Sequence, residues 1–159
     1  MNIFYVDADP KIAAHSLCDN HIRKMQIESA QMLCTTFWHY GFWAPYKKAH
    51  YNHPSTKWVR ESKANFNWLL EHGLEICKEF EKRYGKKHKT ETVLQWIVEN
   101  QSILSNFPNT EFTPPPQAMP DDVKSTDAVQ AYRNYYNVHK NTIAKWNKAP
   151  NNKPNWYKF

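Results

Sequence analysis

Between Cys18 and Thr36 the chain repeats one spacing: Cys18, Ile22, Met25, Ser29, Met32 and Thr36 fall three or four residues apart, with Leu33 beside Met32. That period stacks them on one mostly apolar face of an α-helix. A polar stripe runs beside it, with His21, Lys24, Glu28 and Gln31 at steps of three, four and three. The same period returns through Val59, Phe66, Leu69, Leu70, Leu74, Cys77, Phe80 and Tyr84. Chains patterned this way bury their stripes by packing helix on helix around one core. The expectation is an all-α, single compact domain over residues 1–159, with a long central N-terminal helix and an extended aromatic C-terminal tail.

The punctuation divides the pattern. Met1 to Val6 is a short apolar start, either a strand or an extended arm, and Pro10 opens the long helical run. Pro54-Ser55 reads as a second helix start, Gly85 as a C-cap, and a break is expected near Ser62 to Asn65. Thr90 to Ile103 reads as a further helix, with Thr90 as its cap. Residues 106–122 hold five prolines and form a loop, ordered by packing because Phe107, Phe112 and Met119 need cover. Thr126 opens the last helix near Asp127, which is expected to run to about Lys145, with an extended tail from Pro150.

Composition excludes several classes. Aromatic residues make up 15% of the 159, too many for a disordered chain. No apolar run approaches the roughly 20 residues of a membrane span. Met1 to Pro10 carries two Asp and no basic segment, unlike a secretory signal. Cys18, Cys34 and Cys77 are odd in number and lack CxxC spacing, which disfavours a disulfide framework and fits a reducing cytoplasm. The net charge of +6 is localised. From Ala128 onward there are six basic residues (Arg133, Lys140, Lys145, Lys148, Lys153 and Lys158) and no acidic one. Tyr132, Tyr135, Tyr136, Trp146, Trp156, Tyr157 and Phe159 are interleaved with them. Cations between aromatics suit phosphate contact and base stacking, although a solvated helix with inward aromatics has the same composition.

Four groups could carry chemistry. Glu28 lies mid-helix beside the apolar face and could move protons, position water or stabilise a cationic sugar; an ordinary Lys24–Glu28 surface pair has the same spacing. Tyr51-Asn52-His53-Pro54, with Trp58 and Arg60, could hold an anion or a base edge ahead of a helix, or simply form a turn in which His53 caps backbone groups. Tyr132, Tyr135 and Tyr136 share a helical face with Arg133 to its side, as a stacking and phosphate surface or as a core stripe. His15, Cys18 and His21 have helical spacing but no evident fourth metal ligand, so neither a metal nor another cofactor is expected. No P-loop, GxGxxG, HExxH or GxSxG occurs.

The run Asp19-Asn20-His21-Ile22-Arg23-Lys24-Met25-Gln26-Ile27-Glu28 resembles the first-helix motif of the small phage pyrimidine-dimer DNA glycosylases of the endonuclease V type, which ends in the catalytic Glu. Met1-Asn2-Ile3-Phe4 with Pro10, and Tyr51-Asn52-His53-Pro54, are similar to further motifs of bacterial relatives. Asn67-Trp68-Leu69 and Arg83-Tyr84-Gly85 follow in matching order. Lys153 to Phe159 resembles the Pro-x-Trp-Tyr-Lys-aromatic end that lies against DNA in the phage enzyme. The segment Phe112 to Pro120 is similar to a loop of small uncharacterised phage proteins.

The resemblance implies a monomeric DNA glycosylase, with possible abasic-site lyase activity, acting on a damaged or hypermodified pyrimidine in duplex DNA. Its α-amine would attack C1′ of a flipped nucleotide while a Glu assists. Free α-amines titrate near 8, which leaves a useful neutral fraction. Carried over, Glu28 takes the Glu role and Met1–Asn2 the place of the nucleophile, with His21 beside them. Lys24, Tyr51, Asn52, His53, Arg60, Tyr132, Arg133, Tyr136, Trp156 and Tyr157 become candidates for DNA or base contact. One departure matters: the phage enzyme loses its first Met to expose a small residue, whereas the size of Asn2 disfavours that removal. The amine would then be that of Met1, or Glu28 would activate water instead. The alternatives are base transfer or exchange on the same fold, and DNA binding without catalysis.

Overall fold

The computed structural model describes all 159 residues, and it contains six α-helices, three short 3-10 turns and no strand. The order is α1 (Pro10–Ser16), α2 (Asp19–His39), α3 (Pro54–Glu61), α4 (Lys63–Tyr84), α5 (Thr90–Asn100) and α6 (Ala128–His139). Local chemistry sets most boundaries. Asp9 accepts from the amides of Lys11 and Ile12 and opens α1 ahead of Pro10. Ser62 both ends α3 and caps α4 by accepting from Asn65 N–H. Asp127 caps α6 through Val129 N–H. Gly85 takes φ 71° at the end of α4, the left-handed conformation that a side chain disfavours.

α2 is the central helix, and its most extensive packing is against α4. The approach is close where Gly73 meets it. A Cβ on Gly73 would sit 3.3 Å from Leu94 Cδ1 and 3.4 Å from Ser29 Cβ, so even a methyl group would require Leu94 or Ser29 to give by a few tenths of an ångström. One continuous apolar cluster runs from Ile3 to Tyr157. No helix is long and apolar enough to cross a membrane.

Five boundaries or caps differ from expectation. The helical run from Pro10 is two helices, broken at Leu17–Cys18, where both residues are extended. No Gly or Pro marks that break; Asp19 N–H instead donates to Lys145 O, a contact 126 residues away. Thr90 is not a cap, because the site ahead of α5 is filled by His88 Nδ1, which accepts from Thr90 N–H. The fifth helix ends at Asn100 and finishes in a 3-10 turn over Gln101–Ile103. α6 ends at His139, six residues early, as the chain turns to bury Ala144 and Trp146. The tail from Pro150 begins with a 3-10 turn rather than running straight.

The N-terminus is the extended arm, not a strand. Ile3 to Val6 are all buried, with Phe4 against α2 and α6 and Tyr5 against Trp68 of α4. Phe4 has φ +56°, unusual for a bulky residue. It is held there by its ring, stacked 4.0 Å from His21 and 5.9 Å from Tyr135. The proline-rich loop is fixed mainly by hydrogen bonds. Asn65 exchanges two with Thr113, Trp58 Nε1 donates to Thr113 O, the Ser62 hydroxyl donates to Glu111 O, and Tyr132 donates to Pro116 O.

Candidate active site

Arm, helix and loop meet at the middle of α2, around Glu28. Asn2 organises the meeting. Its side-chain oxygen accepts from the amides of Ile3 and Phe4, at 2.7 and 3.2 Å, and its Nδ2 donates to Ala118 O at 2.9 Å. The arm is thereby turned on itself and tied to the proline loop. Its first two nitrogens then face Glu28. The Asn2 amide donates to Glu28 Oε1 at 2.8 Å, and the Met1 α-nitrogen lies 3.5 Å from the same oxygen. Glu28 keeps 21% of its side chain exposed, so it remains open to a ligand.

These groups lie in a cleft of about 510 Å³, a size that admits a small organic ligand. The arm and α2 contribute Met1, Asn2, Phe4, Lys24 and Glu28. The opposite side holds His53 and Pro54 from the start of α3, and Gln117 to Met119 from the loop. Lys124, Tyr135 and Lys140 close the end nearest α6. Glu28 is the one carboxylate in this lining, against three lysines and an α-amine. The balance favours an anion such as a phosphodiester. Lys140 also sits 4.9 Å over the Tyr135 ring, joining charge to an aromatic face.

His53 has a defined state. Its Nδ1 accepts from Ser55 N–H at 3.1 Å, capping α3. Burial first, then the nearby α-ammonium and His50, lower its pKa; Glu28 opposes them. His53 is therefore neutral at ordinary pH.

The expected site residues are only partly brought together. Met1, Asn2, Lys24, Glu28 and His53 share the cleft. Asn52 lines an adjoining groove of about 450 Å³ with Lys57, Trp58 and Pro116, and Pro54 borders both. Tyr51 and Arg60 form a separate cluster. The Arg60 guanidinium lies 4.0 Å over the Tyr51 ring and donates to Tyr51 O, while the Tyr51 hydroxyl meets His39. His39 is roughly 16 Å along α2 from Glu28, at 1.5 Å per residue.

Three candidates are inside the core. His21 is fully buried, stacked on Phe4 and 2.6 Å from the Tyr136 hydroxyl; burial, then Lys24 and Lys140, lower its pKa to about 3. It does not face the cleft with Lys24 and Glu28. Tyr132 and Tyr136 have no exposed surface and offer no ring for a base to stack on. Trp156 and Tyr157 pack along α6 and Trp146, and Arg133 holds Val6 O and Asp7 beneath Trp156. His15 turns to Glu79, at 3.6 Å, and no cluster of three metal-ligating side chains forms anywhere. Burial raises the thiol pKa of all three cysteines, to about 11 for Cys34 and about 12 for Cys77, which leaves none as a thiolate nucleophile.

A family model described as pyrimidine dimer DNA glycosylase matches residues 1–92, more than half of the chain. The chain belongs to the pyrimidine dimer DNA glycosylase family. Membership points to a DNA glycosylase, with DNA as its partner. The matched span includes every cleft residue from the arm, α2 and α3. The rest of the lining, Gln117 to Met119, Lys124, Tyr135 and Lys140, lies beyond it. Tyr135 and Lys140 belong to the aromatic and basic C-terminal stretch singled out from sequence, whereas Gln117 to Met119 and Lys124 were not singled out. The loop, the turn ahead of α6 and α6 itself supply them, and only the fold brings them near Glu28. No curated protein and no solved structure matches the chain.

Proposed function

We propose that this protein excises a damaged or modified pyrimidine from duplex DNA and, through the amine it uses, also cleaves at the resulting abasic site. The observation that carries the reading is the α-amine and carboxylate facing each other, 3.5 Å apart, in a cation-lined cleft. The target nucleotide leaves the base stack and its sugar enters the cleft. The neutral Met1 amine attacks C1′ as the C1′–N1 bond breaks, and that bonding pair departs with the base. Glu28 takes the proton released from the new C–N bond and stabilises positive charge on the sugar. Ring opening gives an imine, from which β-elimination breaks the strand. Lys24, Lys124 and Lys140 bind the flanking phosphates, with Asn52 in the adjoining groove.

One distance favours a second reading. Glu28 Oε1 is closer to the Asn2 amide, 2.8 Å, than to the amine, 3.5 Å. A carboxylate held that way can aim a water at C1′, giving base excision without an amine adduct. The test is incubation with duplexes carrying a cyclobutane thymine dimer, 5-hydroxymethylpyrimidines, uracil or a preformed abasic site. Released base and nicks are read by mass spectrometry and gel, with and without borohydride. Base release plus a trapped adduct at Met1 is the expected result. Base release without an adduct selects water, and a new base with no abasic site selects base exchange. Silence across the panel with binding intact defeats both excision readings.

A further inference from the structure

We propose that His53 donates its Nε2–H to the O2 carbonyl oxygen of the departing pyrimidine as the glycosidic bond breaks. The inference rests on the glycosylase reading above. It starts from a backbone amide outside the cleft. Ser55 N–H, in the first turn of α3, donates to His53 Nδ1 at 3.1 Å. A ring nitrogen that accepts carries no proton, so the single proton of a neutral imidazole must be on Nε2. The cap therefore chooses the tautomer. Nε2 makes no hydrogen bond inside the protein, while His53 itself lines the cleft opposite Glu28 and the amine.

The chemistry calls for such a group. When C1′–N1 breaks, its electron pair leaves with the base, and negative charge spreads from N1 onto O2. A donor fixed in advance at that oxygen stabilises the charge only as it develops, which lowers the barrier rather than merely tightening binding. The other donors in the cleft are flexible lysines, the Tyr135 hydroxyl and the amine that must act as nucleophile, while the Gln117 amide is spent on Ser125 O. His53 gives up no proton in the step: the base leaves as an anion and takes its proton from solvent, and the proton of the attacking amine goes to Glu28. Protonation of His53 would fill Nδ1 and break the Ser55 cap, so the neutral ring is also the form in which the donor is positioned.

The test separates base departure from amine chemistry. His53→Asn keeps a side-chain oxygen to cap Ser55 but lacks the reach of the ring. Two single-turnover rates are compared with those of the unaltered protein: glycosidic-bond cleavage in a thymine-dimer duplex, read as alkali-labile sites because the cyclobutane ring keeps the cleaved thymine tethered to its neighbour, and borohydride trapping on a duplex with a preformed abasic site, where no base departs. Removing one such donor is expected to slow base release about 10²-fold. Trapping should stay within about three-fold, as for a contact made only in the first transition state. His53→Gln, whose amide reaches further, should recover part of the loss. Equal losses on both substrates would make His53 a positioning residue and overturn the proposal, as would unchanged base release in a folded His53→Asn. If the unaltered protein releases no base from any duplex, the parent reading fails and this one falls with it.

Discussion

The cleft at the middle of α2 and the C-terminal stretch from Ala128 are built from the same materials, cations and aromatics, and use them in opposite ways. In the cleft the polar groups are left available. Lys24, Met1 and His53 line the cavity, and the aromatic residues Phe4 and Tyr135 line it with them. In the C-terminal stretch the aromatics are consumed by folding. Tyr132 and Tyr136 are fully buried, Trp146 and Tyr157 nearly so, and Arg133 is tied to Val6 and Asp7. Only Phe159 among these aromatics stays well exposed, at 66%. Burial of a large side chain is worth about 1.5–3 kcal/mol, which outweighs a potential stacking contact that forms only when DNA arrives. Aromatic residues at helical spacing therefore report the core first, and the lysines between them remain as surface charge.

That contrast can be broken experimentally. The largest effect is expected at Glu28. Glu28→Gln should lower base release by about 10²–10⁴-fold with an unchanged melting temperature; a stability loss with activity intact would make Glu28 a structural residue. Next is Tyr136. Truncation to Ala should cost about 3–5 kcal/mol by urea denaturation, and Tyr136→Phe about 1–3 kcal/mol by stranding Cys18 N–H and His21 in the core. Per folded molecule, base release should hold. A folded Tyr136→Ala that fails to bind DNA would reverse the comparison.

Surface charge gives a smaller change. Lys145 and Lys153 line an open cavity beside Trp146 and Tyr157, well away from Glu28 in the sequence. Replacing both by Ala should reduce the slope of log affinity against log salt by about 2, without touching the melting temperature. Arg133→Ala should do the converse, because its guanidinium is committed to the arm. A further effect is on acid stability. His21 has its pKa lowered to about 3 in the fold, from about 6.5 when unfolded. Between those values the unfolded chain binds the extra proton, so stability is full above pH 6.5 and falls as pH drops toward 3. His21→Phe keeps the stack on Phe4 and should flatten that acid limb, read as melting temperature from pH 7 to 4. An unchanged limb would assign it to His72, buried and lowered to about 4.

Legibility in the sequence followed the range of the interaction. The helix period, the Pro54 start, the break at Ser62 and the Gly85 cap depend on neighbours along the chain, and each was readable. The ends of α1 and α6 depend on contacts made across the molecule, such as Asp19 N–H with Lys145 O, and they were not. Glu28 and His53 were accessible through motif resemblance, and the period placed Lys24 beside Glu28. The same period put His21 in that stripe, and only the arm lying across α2 shows why it is buried: Phe4 covers it. Lys124 and Gln117 carry no local signature, since their place beside Glu28 comes from the segment after the proline-rich loop, which Asn65, Tyr132 and Asn2 fix.

The arm's route has a practical bearing on anyone who purifies this protein. With the Met1 nitrogen 3.5 Å from Glu28, whatever is joined ahead of it would start inside the cleft. A peptide tag or an acetyl cap there would turn the amine into an amide and fill part of that cavity. On the proposed amine mechanism, such a preparation would lose the trapped adduct, whereas excision through water would depend only on the space left beside Glu28.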